Sequence, residues 1–206
     1  ESAIYPGCPS SFPAVIGMDV AGTVEAVGSA CHRLHPGDAV WADMALHLGA
    51  YAEFVVAKEL NLGLAPSDGK LSLQAAATLP LVSMTGLAAL KAAGAPWKSK
   101  NTTVVVLGAS GGCGSAGVQM ARAFGASRVV GTTLSGAAND AFVRSLGVDE
   151  VIDDDKTDWA RRLGADSVDV VYDTVGASGG AERAMSVLRT GGAFVTIAGD
   201  LAKKPR

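Results

Sequence analysis

The chain of 206 residues carries 17 basic and 20 acidic side chains, and its formal net charge of −3 gives it no electrostatic footprint for nucleic acid or an acidic membrane surface. Its 49% hydrophobic content and mean hydropathy of +0.29 are enough to fill the core of one large domain or two small ones. No apolar run approaches a membrane span and no basic segment leads into an apolar leader, so the expectation is a soluble intracellular protein with no membrane or nucleic-acid partner.

Cys8, Cys31 and Cys113 are scattered without a Cys-x-x-Cys pair, which argues against a disulfide framework and a structural zinc site. Cys31-His32 lacks further ligands at finger spacing. The chain starts at Glu1 without methionine and stops inside an alternating pattern, so it reads as part of a longer protein.

After a loop at Pro9-Ser10-Ser11-Phe12-Pro13, strands are predicted at Val15-Ile16, over Val20 to Gly28, at Ala39-Val40-Trp41 and over Gly49 to Val56. His35-Pro36-Gly37-Asp38 is the turn into the third of these. The glycine punctuation suits a small β-rich barrel or sandwich over residues 1–83. Leu71 to Leu79 has helical spacing that Pro80 is expected to break, and a further helix is predicted over Met84 to Ala93.

Residues 84–206 alternate strand and helix, which makes the chain α/β. Val104 to Leu107 are apolar without alternation, as in a strand buried on both faces of a parallel sheet. Ser115 to Phe124 repeats small and apolar residues at helical spacing until Gly125. Between them, Ala109-x-Gly111-x-x-Gly114 fits a dinucleotide fingerprint with alanine in the first place, where backbone N–H groups at a helix N-terminus receive phosphate. Strands at Arg128 to Thr133, Glu150 to Ile152, Val168 to Asp173 and Ala193 to Ile197 follow, with helices at Ala137 to Leu146, Lys156 to Leu163 and Gly180 to Leu188. Right-handed crossovers give an open, doubly wound parallel sheet with its last strand missing from the chain and its ligand at the carboxyl ends of the strands.

Four segments, taken together, carry a family resemblance. They are Gly17-x-Asp19-x-Ala21-Gly22-x-Val24-x-x-Val27-Gly28, Gly37-Asp38-x-Val40 before Tyr51-Ala52-Glu53, Ala76-Ala77-x-Leu79-Pro80 before Thr85-Gly86, and Gly108-Ala109-Ser110-Gly111-Gly112-x-Gly114. The chain resembles the zinc-independent quinone oxidoreductases of the medium-chain dehydrogenase/reductase superfamily. That resemblance implies an N-terminally incomplete GroES-like catalytic domain over 1–83 and a C-terminally incomplete Rossmann domain over 84–206. It also implies NADPH as hydride donor, a quinone or α,β-unsaturated carbonyl as acceptor, a cytoplasmic or mitochondrial location, and a homodimer paired through the last Rossmann strand of the full-length protein. Where the zinc branch carries ligands, this chain has Met18 beside Asp19 and, before Thr85-Gly86, Leu81. Neither Met18 nor Leu81 suits a three-ligand catalytic zinc, so no metal is expected. Enoyl-thioester reductases share the architecture and stay open as an alternative, as does a non-catalytic NADPH-binding protein.

The resemblance assigns cofactor contacts to Thr85, Ser110, Gly111, Gly112, Cys113, Gly114, Thr132, Thr133, Ser135, Thr174, Val175, Gly176, Ala198 and Gly199, and names no catalytic acid or base. NADPH is favoured over NADH because Gly131-Thr132-Thr133-Leu134-Ser135 holds hydroxyls and no carboxylate where NAD-binding folds place an acid. Two departures stand against it: Gly136-Ala137-Ala138 replaces the family's Lys or Arg, and Asp154 replaces a Tyr after Ile152-Asp153. Asp19 is read as a structural acceptor rather than a base. At Cys113 the side chain is incidental or, since a helix N-terminus lowers a thiol pKa, redox-sensing.

Overall fold

The computed structural model describes residues 13–44, 48–98 and 101–198. The chain divides into two compact units, Glu1–Val82 and Ser83–Arg206.

In the first unit, β1 (Asp19–Thr23), β2 (Ala39–Asp43) and β3 (Gly63–Leu64) form an antiparallel sheet in that order, with Ala21 opposite Trp41 and Val40 opposite Leu64. The His35 to Asp38 turn forms as expected: His35 N–H donates to the Asp38 carboxylate at 2.8 Å, and Gly37 takes a φ of +95°. The strands expected at Val15-Ile16 and Gly49 to Val56 do not form. Those segments meet only where Tyr51 N–H donates to the Ile16 carbonyl and the Gly17 carbonyl accepts from Gly49 and Ala50, and Tyr51, Phe54 and Val56 remain exposed. Alternation alone cannot hold a strand that buries nothing.

Helix α1 (Leu73–Ala76) is a single turn capped by the Ser72 hydroxyl, and α2 spans Pro80–Ala92. Pro80 therefore opens α2 instead of only ending what precedes it: at the first helical position its missing N–H costs nothing and its fixed φ is already helical. The next N–H, of Leu81, donates to the Asp19 carboxylate at 2.7 Å, so a side chain from β1 caps α2.

The second unit is a five-stranded parallel sheet in the order β6-β5-β4-β7-β8, formed by β4 (Thr103–Leu107), β5 (Arg128–Thr133), β6 (Glu150–Asp153), β7 (Val168–Asp173) and β8 (Leu188–Thr196). Every residue of β4 is buried, as its unbroken apolar run requires at the centre of such a sheet. Val104 and Val106 face one core with Tyr172, α2, α3 (Gly112–Ala123) and α4 (Ala137–Ser145). Val105 and Leu107 face the other, with α5 (Trp159–Leu163) and α6 (Gly180–Val187). The order reverses direction at β4, which puts the carboxyl end of β4 at the switch point where ligands of such sheets bind.

Candidate functional site

The site is built on the loop from β4 into α3. Gly108 leaves the strand with φ +74°, and the N–H of Gly111 closes the turn onto the Gly108 carbonyl at 3.0 Å. A Cβ on Gly114 would stand 2.1 Å from the Gly108 oxygen, so a side chain there has no room while the turn keeps this shape. Gly111 and Gly112 are exposed, and the first-turn N–H groups of Gly112, Cys113 and Gly114 donate to no described backbone acceptor. Three free donors on the positive end of a twelve-residue helix, with bare glycine surface before them, fit the pyrophosphate of a dinucleotide.

Hydrogen bonds tie this turn to its neighbours. Gly108 N–H donates to Thr132 Oγ1 at 3.2 Å, Ala109 N–H donates to the Thr132 carbonyl at 2.8 Å, and Thr133 Oγ1 donates to Ser110 Oγ at 2.9 Å. The hydroxyls of Thr132 and Thr133, expected to face a 2′-phosphate, are buried and turned onto the glycine loop. Their role in the structure is to hold the loop in place. Cys113 is half-buried and desolvation raises its thiol pKa, which opposes the thiolate that a redox sensor needs.

The β7 and β8 ends complete the edge. Thr174 Oγ1 donates to the Leu107 carbonyl at 2.7 Å, beside Gly108. The carboxylate of Asp173, a residue not singled out from the sequence, is buried; it accepts from the N–H groups of Val175 at 2.9 Å and Gly176 at 3.0 Å and from Thr196 Oγ1 at 3.2 Å. Thr196 Oγ1 accepts in turn from the Ala198 N–H at 3.2 Å, so one carboxylate fixes the Thr174 to Gly176 turn and the end of β8. Its signal in the sequence is an acid closing an apolar strand. Gly199 and the basic tail at Lys203 to Arg206 lie outside the described residues. Thr85 is half-buried on α2 beside Gly86, where a Cβ would come within 3.3 Å of Met120 on α3.

The end of β5 departs from expectation. Ser135 Oγ donates to both carboxylate oxygens of Asp153 at 2.8 Å, and Ser135 N–H donates to Asp155 at 2.7 Å. The stretch from Gly131 to Ser135 holds no carboxylate, but β6 lies beside β5 with Thr133 opposite Asp153, and its end delivers two. Lys156 Nζ pairs with Asp153 at 2.7 Å, and the Lys156 ammonium and Ser135 hydroxyl hold the Asp153 carboxyl below its ordinary pKa.

A parallel sheet whose switch point carries a glycine turn and helix-terminal N–H groups with no described backbone acceptor defines an α/β protein of Rossmann type. Residues 3–67 match the family model for the alcohol dehydrogenase GroES-like domain, and residues 112–205 that for zinc-binding dehydrogenase. The chain is 38% identical over 198 residues to 2-methylene-furan-3-one reductase of Solanum lycopersicum, covering 92% of this chain and 48% of that protein. It is 34% identical over 201 residues to the chloroplastic NADPH-dependent alkenal/one oxidoreductase of Arabidopsis thaliana, covering 92% and 48%. The solved quinone oxidoreductase from Coxiella burnetii superposes with a TM-score of 0.77 at 29% identity, over 89% of this chain and 55% of that one. The chain belongs to the medium-chain dehydrogenase/reductase superfamily. It spans about half the length of these curated relatives.

Proposed function

We propose that the intact protein is an oxidoreductase that passes a hydride from a reduced nicotinamide dinucleotide to a quinone or an α,β-unsaturated carbonyl. The observation that carries this reading is the α3 terminus, where Gly112, Cys113 and Gly114 offer three free N–H donors behind a turn too tight for a side chain at Gly114. The dinucleotide supplies the hydride. The chain's residues receive the pyrophosphate at Gly111 to Gly114 and shape the nicotinamide side with Thr85, Thr174, Val175, Gly176, Ala198 and Gly199. The names of the tomato and Arabidopsis relatives, a furanone reductase and an alkenal/one oxidoreductase, support an enone acceptor, and that of the Coxiella structure a quinone.

The chemistry proceeds without zinc in this reading. Asp19, beside Met18, accepts the Leu81 N–H, so the two positions that hold ligands in the zinc branch are neighbours here and are filled by a thioether and a hydrocarbon. Asp19 is a helix cap rather than a base. With no Lewis acid, the acceptor's own conjugation activates it, and rate comes from positioning. The choice between NADPH and NADH turns on the corner around Ser135. For the intact protein the same reading expects a cytoplasmic homodimer, with a mitochondrial location as the alternative.

Following NADPH and NADH oxidation by the full-length protein with benzoquinones, alkenals and a crotonyl thioester tests the proposal. Turnover with quinones or enones supports it, turnover of the thioester alone assigns an enoyl-thioester reductase, and cofactor binding without any turnover assigns a non-catalytic protein.

A further inference from the structure

Asp153 ends β6, and Asp154 and Asp155 follow it in the turn. Asp153 and Asp155 bind Ser135, while half-buried Asp154 does not: burial raises its pKa, opposed in part by the charge of Arg183 on α6. Among the described residues, the corner at the end of β5 holds two carboxylates against one ammonium, that of Lys156, which is itself engaged by Asp153. Hydrogen-bond direction matters as much as charge. A serine has one hydroxyl proton, and that of Ser135 is given to Asp153; its backbone N–H is given to Asp155. Thr133 donates to Ser110. Apart from the Lys156 ammonium, the corner thus presents lone pairs and a net negative charge, which accept from a hydroxyl and repel a phosphate.

We propose that Asp153 and Asp155 select a nicotinamide dinucleotide with a free ribose 2′-hydroxyl, making NADH the preferred donor and placing the acids that discriminate at the end of β6 instead of β5. The proposal rests on the dinucleotide site described above. In NAD-binding folds a carboxylate at the end of the second strand accepts from the 2′-hydroxyl; here the third strand supplies that group through Ser135.

The test is direct binding, by titration calorimetry, of NADH and NADPH to the full-length protein and to its Asp153→Asn, Asp155→Asn double variant. The wild type is expected to bind NADH about tenfold more tightly than NADPH, and the double variant to lose about tenfold of that ratio, the scale of a unit charge acting on a nearby phosphate in a solvated site. Equal or tighter NADPH binding by the wild type overturns the selection while leaving the dinucleotide site standing; binding of neither overturns both. The wild type also supplies a readout that no folding defect can disturb. Repulsion is screened by salt, so raising the ionic strength from about 0.01 M to about 0.15 M is expected to narrow the gap between the two cofactors. NADPH affinity that falls faster than NADH affinity over that range indicates a cationic clamp and sinks the proposal.

Discussion

At the scale of single residues, the site depends on absences as much as on side chains. Gly114 sits where a Cβ would fall 2.1 Å from one backbone oxygen and 2.8 Å from the Ala109 Cα, both in the loop that must stay closed. Gly114→Ala has no flexible neighbour to push aside, so it is expected to lower stability by about 2 kcal/mol and to abolish dinucleotide binding, as read by urea unfolding and calorimetry. Retained affinity in the variant would show that the turn is not the phosphate cradle. Asp173 is the converse case, a buried carboxylate with three donors. Its role could not be read from the sequence, because the groups it serves lie on two strand ends that meet only in the folded sheet. The same holds for Ser135: from the sequence its surroundings are hydroxyls and small residues, and its two acids arrive from about twenty residues away on a neighbouring strand.

At the scale of elements, legibility follows burial. The run Val104 to Leu107, the small-residue helix after it and the strand Val168 to Asp173 are readable because burial dictates their composition, the strands being packed on both faces against two cores. The segment Gly49 to Val56 misled because its alternation serves no core among the described residues, and β3 escaped notice as a two-residue pairing with no pattern to find. The first unit also contains a tie that no periodicity announces. The Glu59 carboxylate, from a single turn of 3₁₀ helix at Glu59–Asn61, accepts the N–H groups of His32, Arg33 and Leu34. These bonds, those to Arg33 and Leu34 foremost, pull its pKa below the ordinary glutamate value. A carboxyl whose folded pKa is depressed adds stability that is present above its unfolded pKa and lost as pH falls through the folded one. Glu59→Gln is therefore expected to lower the urea midpoint at pH 7 and to leave it progressively less changed below about pH 4.3. A difference that stays constant with pH rejects the nest as its cause. In the second unit, α5 has only five residues and is held by its Asp158 cap and by the fully buried Trp159, over whose ring lies Arg183. Trp159→Ala should cost about 3–5 kcal/mol and fray this helix first, visible as faster amide exchange over Trp159–Leu163.

At the scale of the whole molecule, the described residues proposed to hold the dinucleotide all fall within Ser83–Arg206 and are gathered from the ends of all five parallel strands and from α2. The hydrogen bonds Thr133 to Ser110, Ser135 to Asp153, Thr174 to Leu107 and Thr196 to Asp173 already link those ends in sequence across the sheet, so a ligand there meets a prearranged edge. Such a ligand binds the folded state alone and stabilises it by mass action, about 2.7 kcal/mol at a hundred times its Kd. Where the added protection appears is more telling than its size. The β4 amides are buried in the sheet and are expected to exchange through large openings with or without ligand, whereas those of Gly112, Cys113 and Gly114 have no described backbone acceptor and are expected to exchange faster in the free protein. Saturating NADH is expected to slow exchange at these three amides, to raise the unfolding midpoint, and to lose both effects together in Gly114→Ala. A raised midpoint with unchanged exchange over Gly112–Gly114 would place the nucleotide elsewhere and remove the glycine turn from the mechanism.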